Sequence, residues 1–400
     1  MKRSSKSTAR RVAISLEMDW GFKRHLETYA GCQRYADEAG WDCIIHPAPD
    51  RVMRGGSKER PFDGVLARAT PEMAAAARKA GIPLVNVWMN SPVEDVPSVY
   101  PDCRASGAMA AEHLIARGFR QFGYLGFLND VDSRLQVQGF REVTKREGFP
   151  CTTYRFSRTS VEGRARGWEK FVAGLDKWID SWEPPLGVFV CNDLFCRYLI
   201  DACRAKGLHV SQDVAILGCS NEPTICDAPP PSLTSIDLGF AQVGYSAAAI
   251  LDRLMRGHKA PATPELVPPA ELVPRQSTDV YAADDPVVAR ALRFIAESGH
   301  ERIEVKEVVS AVATNRRSLE RKFRESVGRS IGAEITRLRI ERAKRRMVET
   351  DAPMKDVALD AGFRNADHFY KVFARVEGIP PTRYRDERQK VFPQSSENPE

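Results

Sequence analysis

Arg316, Arg317, Glu320, Arg321 and Arg324 fall within nine residues of one another. A guanidinium presents its donors as a rigid fork, matched to phosphate oxygens or to O6 and N7 of guanine. Glu320 among them can accept from cytosine N4 or screen its neighbours. Asn365, Asp367, His368 and Lys371 form a second polar set further on. A nucleophile is the other chemistry to weigh: Cys191 follows an apolar run and precedes a helical one, where a nucleophile elbow would stand. Its neighbours Phe189 and Asp193 are too large for such an elbow, and no histidine lies nearby to act as a base. The nine cysteines contain no CxxC pair, and Cys191, Cys196 and Cys203 fit no zinc spacing. The scattered His25, His46, His113, His209, His258 and His300 suggest no metal site either, so neither metal nor cofactor is expected.

The elements that must carry the two polar sets are helices. Val305–Ala313 is followed by Thr314, read as a cap, and by a helix in which Leu319 and Phe323 are one turn apart and face inward. Val357–Ala361, a turn at Gly362 and Phe363, and a helix with Phe369 and Phe373 inward repeat the design. Between them Ile331–Thr350 forms a connecting helix of roughly 30 Å at ~1.5 Å per residue. Helices held about that far apart reach successive major grooves, because one turn of B-DNA is about 34 Å. Upstream the texture differs. Apolar runs at Val12–Leu16, Gly64–Ala67, Pro83–Val87, Gln121–Gly126, Leu186–Val190 and Val214–Leu217 alternate with helical stretches, which implies parallel βαβ units in two similar halves.

Charge separates the same two bodies. The chain has 400 residues and a formal net charge of +6, but residues 286–390 hold 24 Lys/Arg against 16 Asp/Glu, while residues 1–285 balance. Met1–Arg11 carries five of the basic residues, so the body from residue 12 to 285 is acidic. A basic module beside an acidic one suggests that only the first meets an anionic polymer. With 43% hydrophobic and 28% charged residues, and no apolar run near the ~20 needed to span a bilayer, the composition points to a cytoplasmic globular protein with no membrane partner.

Several segments carry resemblances. Ala361-Gly362-Phe363, Phe369, Phe373 and Gly378-Ile379-Pro380-Pro381-Thr382-Arg383-Tyr384-Arg385 resemble the AraC/XylS-family signature, and Thr314, Leu319, Arg321 and Phe323 match its first unit. The resemblance implies base-facing Arg317, Glu320 and Arg321, then Asp367, His368 and Lys371, with Arg316 and Asn365 beside them. Ala108–Leu114 with Arg117-Gly118-Phe119, Gly139-Phe140-Arg141, and Pro231-Ser232-Leu233-Thr234-Ser235-Ile236 look like the lac-repressor and periplasmic sugar-binding families. The two together, joined through Pro274-Arg275-Gln276, resemble the xylose operon regulators.

The implied architecture is an α/β, two-lobed, periplasmic-binding-protein-like sensor with parallel sheets, followed by an all-α domain with two helix-turn-helix units. Its expected bounds are a basic tail at 1–11, a sensor at 12–275, a linker at 276–285, a DNA-binding domain at 286–388 and a disordered tail from 389. The sensor lobes are expected near 12–118 plus 240–262, and 119–239 plus 263–275. By resemblance Asp193 and Asn221 accept sugar hydroxyls, and Arg134 is the sugar-binding arginine. Ser220 stands where those regulators have aspartate, and Arg68 where they have an acid. Trp88 can stack on a sugar or pack a hinge; Asp193 can instead cap the helix it precedes. The implied function is a dimeric regulator, more specifically an activator working with RNA polymerase, that binds double-stranded DNA under control of a small sugar, D-xylose or a related pentose. Three alternatives remain open: a hexose or sugar acid as effector, a sensor used only for dimerisation, and a thiol enzyme fused to the DNA-binding domain.

Overall fold

In a computed structural model the protein is described over residues 9–18, 23–55, 61–158, 165–211, 213–227, 229–279, 285–298, 302–350 and 352–389. Most of the expected basic tail, the middle of the linker and nearly all of the expected disordered tail lie outside these residues. Contacts divide the chain into two units, the first holding the residues up to Leu114 and Arg120–Thr278, the second Ile115–Phe119 and the residues from Asp279 onward.

The first unit contains two main sheets. One has the order β2-β1-β3-β4, formed by β1 (Arg11–Ser15), β2 (Asp42–Ile45), β3 (Gly64–Ala67) and β4 (Leu84–Asn86), all parallel. The other has the order β12-β10-β9-β8-β6-β7, from β6 (Phe122–Phe127), β7 (Cys151–Phe156), β8 (Leu186–Val190), β9 (Val214–Cys219), β10 (Thr234–Asp237) and β12 (Glu271–Val273). Only β12 runs antiparallel to its neighbour. Strands β3, β6, β8 and β9 are buried along their whole length, which is why they read as continuous apolar runs and not as alternating ones.

Two expectations change here. β11 (Glu265–Val267), expected in the second lobe, pairs with β5 (Val99–Pro101) of the first, and the chain returns to the six-stranded sheet only at β12. Gln276–Thr278, expected to open the linker, form a 3-10 turn in which Ser277 and Thr278 are buried. Their side chains hold them: Ser277 Oγ donates to the Ile216 carbonyl at 2.6 Å and accepts from Thr234 N–H at 2.9 Å. The motif glycine at 139 also finds its reason. Helices Cys103–Ala116 and Val131–Arg146 cross so closely that a Cβ on Gly139 would sit 1.9 Å from the Arg104 carbonyl, and one on Gly107 2.0 Å from that of Gln136.

From Pro286 onward the elements among the described residues are all helices: Pro286–Glu297, Val305–Ala311, Arg316–Val327, Ile331–Glu349, Met354–Asp360, Ala366–Glu377 and Pro381–Gln389. Leu319, Phe323, Val308 and Ile335 belong to one core; Val357, Phe363, Phe369 and Phe373 belong to another. The long helix Ile331–Glu349 gives Ile331, Ile335 and Leu338 to the first and Ile340, Ala343 and Met347 to the second, so one continuous helix ties two small cores.

Candidate functional site

A cavity of about 1230 Å³, its open mouth included, lies at the carboxyl ends of the first unit's strands. Leu16 and Glu17 follow β1, Arg68 follows β3, Val87 and Trp88 follow β4, Asp130 follows β6, Arg158 follows β7, Asn192 and Asp193 follow β8, and Ser220 and Glu222 follow β9. This is where open α/β sheets bind ligands, since helix starts and loops there supply polar groups that buried strands do not. Arg68 lies over the Trp88 ring at 4.5 Å from the centroid, and Arg158 over Phe127 at 4.5 Å. The Trp88 backbone is itself anchored, its main-chain N–H donating to Asn86 Oδ1 at 3.0 Å.

Charge in the cavity is matched pair by pair. Lys23 Nζ bonds Asp237 at 2.8 Å, Arg24 bonds Asp132 at 2.8 Å, Arg158 meets Asp130 at 3.5 Å, and Arg68 pairs with Glu17. Burial, helped by the adjacent Arg24 charge, lowers His25 to about 4, so its imidazole is neutral near pH 7. Asp193 is buried and turned inward: Oδ1 accepts from Ser235 Oγ at 2.6 Å and Oδ2 from Glu222 N–H at 2.8 Å. Burial raises its pKa against those two bonds, which lower it. Cys191 is buried too, and burial pushes its thiol well above the usual range, the reverse of an activated nucleophile.

In the helical unit the landmarks of one half recur fifty positions later. Asn315 and Asn365 cap their helices, Leu319 with Phe323 and Phe369 with Phe373 enter the cores, and Gly328 and Gly378 end the helices in left-handed conformation at φ 75° and 76°. Asn315, not Thr314, is the first cap, because its Oδ1 reaches Arg317 N–H at 2.8 Å; Asn365 does the same for His368 N–H at 2.8 Å. Arg316, Arg317, Arg321, Asp367, His368 and Lys371 are exposed, as is Asn365, while Glu320 is half-buried and bonds Arg316 at 2.9 Å. Arg321 is held by Glu325 at 3.0 Å. The nineteen residues of the connecting helix Ile331–Glu349 rise about 28 Å along its axis at ~1.5 Å per residue.

Residues 111–278 match the periplasmic binding protein-like domain model, and residues 308–387 match a helix-turn-helix domain model. The xylose operon regulatory protein of Escherichia coli K12 is 26% identical over 390 residues, covering 96% of this chain and 98% of that one. Its counterpart in Haemophilus influenzae is 28% identical over 292 residues, covering 72% and 74%. The chain is a homologue of the xylose operon regulatory proteins. A solved structure of a xylose-binding transcription activator shares the fold at TM-score 0.65 and 23% identity, over 95% of this chain and 99% of that one.

Within this homologue the expected ligand residues divide. Asp193, Ser220, Arg68 and Trp88 line the cavity; Asn221 and Arg134 are not among its lining residues. Asn221 sits at φ 51° and turns its side chain away, its Oδ1 accepting from Arg275 at 2.9 Å and its Nδ2 donating to Asp237 at 3.4 Å. Arg134 is exposed on a helix whose inward face carries Ser133, Gln136, Val137 and Phe140. Sequence reasoning missed Arg24, Asn90, Asp130, Asp132, Gln136 and Arg158. The available signal was position, since Arg24 and Asp132 occupy first helical turns and Asp130 caps the helix after β6.

Proposed function

We propose that the protein is a DNA-binding transcription regulator whose α/β unit senses a small sugar, D-xylose or a related pentose, and whose helical unit reads double-stranded DNA. The observation that carries this reading is the pairing, in one chain, of a polar, aromatic-walled cavity at the strand ends with a twice-repeated helix-turn-helix unit. The relatives spanning nearly the whole chain are named for the xylose operon, which supports the pentose. In this reading the regulator is a cytoplasmic homodimer and an activator that works beside RNA polymerase. It has no catalytic role of its own, in keeping with the buried Cys191 thiol.

All six tryptophans lie between residues 20 and 182, so intrinsic fluorescence reports on the sensor alone. Titration with D-xylose, L-arabinose, D-ribose and D-glucose is expected to give a saturable change with a pentose, carried in part by Trp88 at the cavity wall. Silence with every sugar would return the sensor to a purely dimerising role.

On the DNA side, Arg321→Ala is expected to cost about 1 to 3 kcal/mol and to relax preference at one base pair, the signature of a bidentate base contact. Competition binding against single-base variants of a selected site measures it. A uniform loss across unrelated sequences would make Arg321 a phosphate contact instead.

A further inference from the structure

Among the described residues, one buried acceptor on the cavity wall is left over. Asp132 Oδ2 accepts from Arg24 Nη2 at 2.8 Å, while Oδ1 is closed to bulk water and has no hydrogen-bond partner. A buried acceptor without a donor is unfavourable, so such an atom in a ligand cavity marks where a donor is to arrive. The neighbours do not supply one. Ser133 Oγ, next in sequence, is engaged with Tyr124 Oη at 2.8 Å and Phe127 N–H at 2.9 Å. The amide donors of Gln136 are spent as well, its Nε2 donating to the Cys191 carbonyl and to Cys219 Sγ, both at 3.3 Å.

The charge of the arriving group follows from the pairing already described. Lys23, Arg24, Arg68 and Arg158 each have a carboxylate partner, and the wall carries Asp193 and Glu222 besides. Among the described residues no lysine or arginine of the wall is left over for an anionic ligand, whereas an acceptor is left over for a hydroxyl. We propose, resting on the sugar-sensor reading, that Asp132 Oδ1 accepts a hydroxyl of the effector, that Arg24 holds this carboxylate in place, and that the cavity therefore selects a neutral polyhydroxy sugar over its acid. Arg24 stands in the first turn of helix Lys23–Ala39, which follows β1 of the four-stranded sheet, and Asp132 in the first turn of Val131–Arg146, which follows β6 of the six-stranded sheet. A ligand on Asp132 thus engages a pair that already joins the two halves of the sensor.

The test uses the full-length protein and tryptophan fluorescence. Wild type is titrated first with the neutral sugars above and with D-xylonate and D-gluconate; the sugar that responds is then compared with its monodeoxy series. Asp132→Asn keeps an oxygen for Arg24 but replaces the leftover acceptor with an amide donor, and is expected to weaken the parent sugar at least tenfold. One deoxy analogue is expected to bind wild type at least tenfold more weakly than the parent, and to bind Asp132→Asn no more weakly than the parent does. A merely structural Asp132 would weaken every analogue by the same factor, which would overturn the proposal. Unchanged parent affinity in Asp132→Asn, or tighter binding of a sugar acid than of the neutral sugar, would overturn it too. The sugar-free melting curve checks folding, and Asp132→Ser, which keeps a small polar group beside Arg24, takes the place of Asp132→Asn if that variant fails to fold. Silence of wild type toward every neutral sugar and acid would bring down the sugar reading itself, before any variant is made.

Discussion

Phe323→Ala is expected to abolish sequence-specific DNA binding while leaving the sensor's ligand titration in place. Phe323 is fully buried in the first core of the helical unit, with Val308, Leu319 and Ile335. Removing a buried phenyl ring loses its transfer free energy and leaves a cavity, together about 3 to 5 kcal/mol. Whole domains are stable by only about 5 to 15 kcal/mol, and this unit divides its apolar residues between two small cores. The loss is therefore a large fraction of what keeps the recognition helix Arg316–Val327 seated. Phe373→Ala, its counterpart in the second core, is expected to act alike, because both cores lean on the helix Ile331–Glu349. Denaturant unfolding followed by circular dichroism, with binding to a site selected from random DNA, measures both effects. Affinity within twofold of wild type in Phe323→Ala would show that the first helix-turn-helix pair does not read DNA.

Asp193→Ala is expected to destroy the ligand response by collapsing a loop, not by deleting a contact. Both carboxylate oxygens are taken, one by Ser235 Oγ and one by Glu222 N–H, and the side chain fills the space where a Cβ on Gly218 would fall, 2.2 Å from Oδ1. Alanine leaves that hydroxyl and that amide buried and unpaired, at about 1 to 3 kcal/mol each. The segment they hold, Ser220 and Asn221, already sits at φ 112° and 51°, a conformation that non-glycine residues adopt only when their surroundings impose it. Thermal unfolding of the ligand-free protein separates the possibilities. A lowered melting temperature with weakened binding of every sugar fits a strut. An unchanged melting temperature, with a loss confined to one hydroxyl of the ligand, would make Asp193 a direct contact.

Much of the architecture was legible because it depends on periodicity. Short apolar runs alternating with helical stretches specify parallel βαβ units wherever both sheet faces are covered, and β3, β6, β8 and β9 are buried throughout. The paired inward residues Leu319 with Phe323 and Phe369 with Phe373 specified two recognition helices, since residues four apart share a helix face. The basic excess after residue 286 needed only counting.

The cavity wall was less legible. Arg134 lies two residues from Asp132 and two from Gln136, yet only those two line the cavity, a difference of helix face. Asn221 is adjacent to Ser220 and Glu222, both of which line it, but its left-handed φ and its bond to Arg275, 54 residues on, turn it away. Arg24 and Asp132 meet across 108 residues, and neither means anything to the other in sequence. Local pattern is set by a residue's own neighbours, through helix and strand periods, and so it decided the elements, their order and the basic helical module. The direction of a loop side chain is set by φ and by a partner brought near only when the sheets form, and so the tertiary structure alone decided which carboxylates line the cavity.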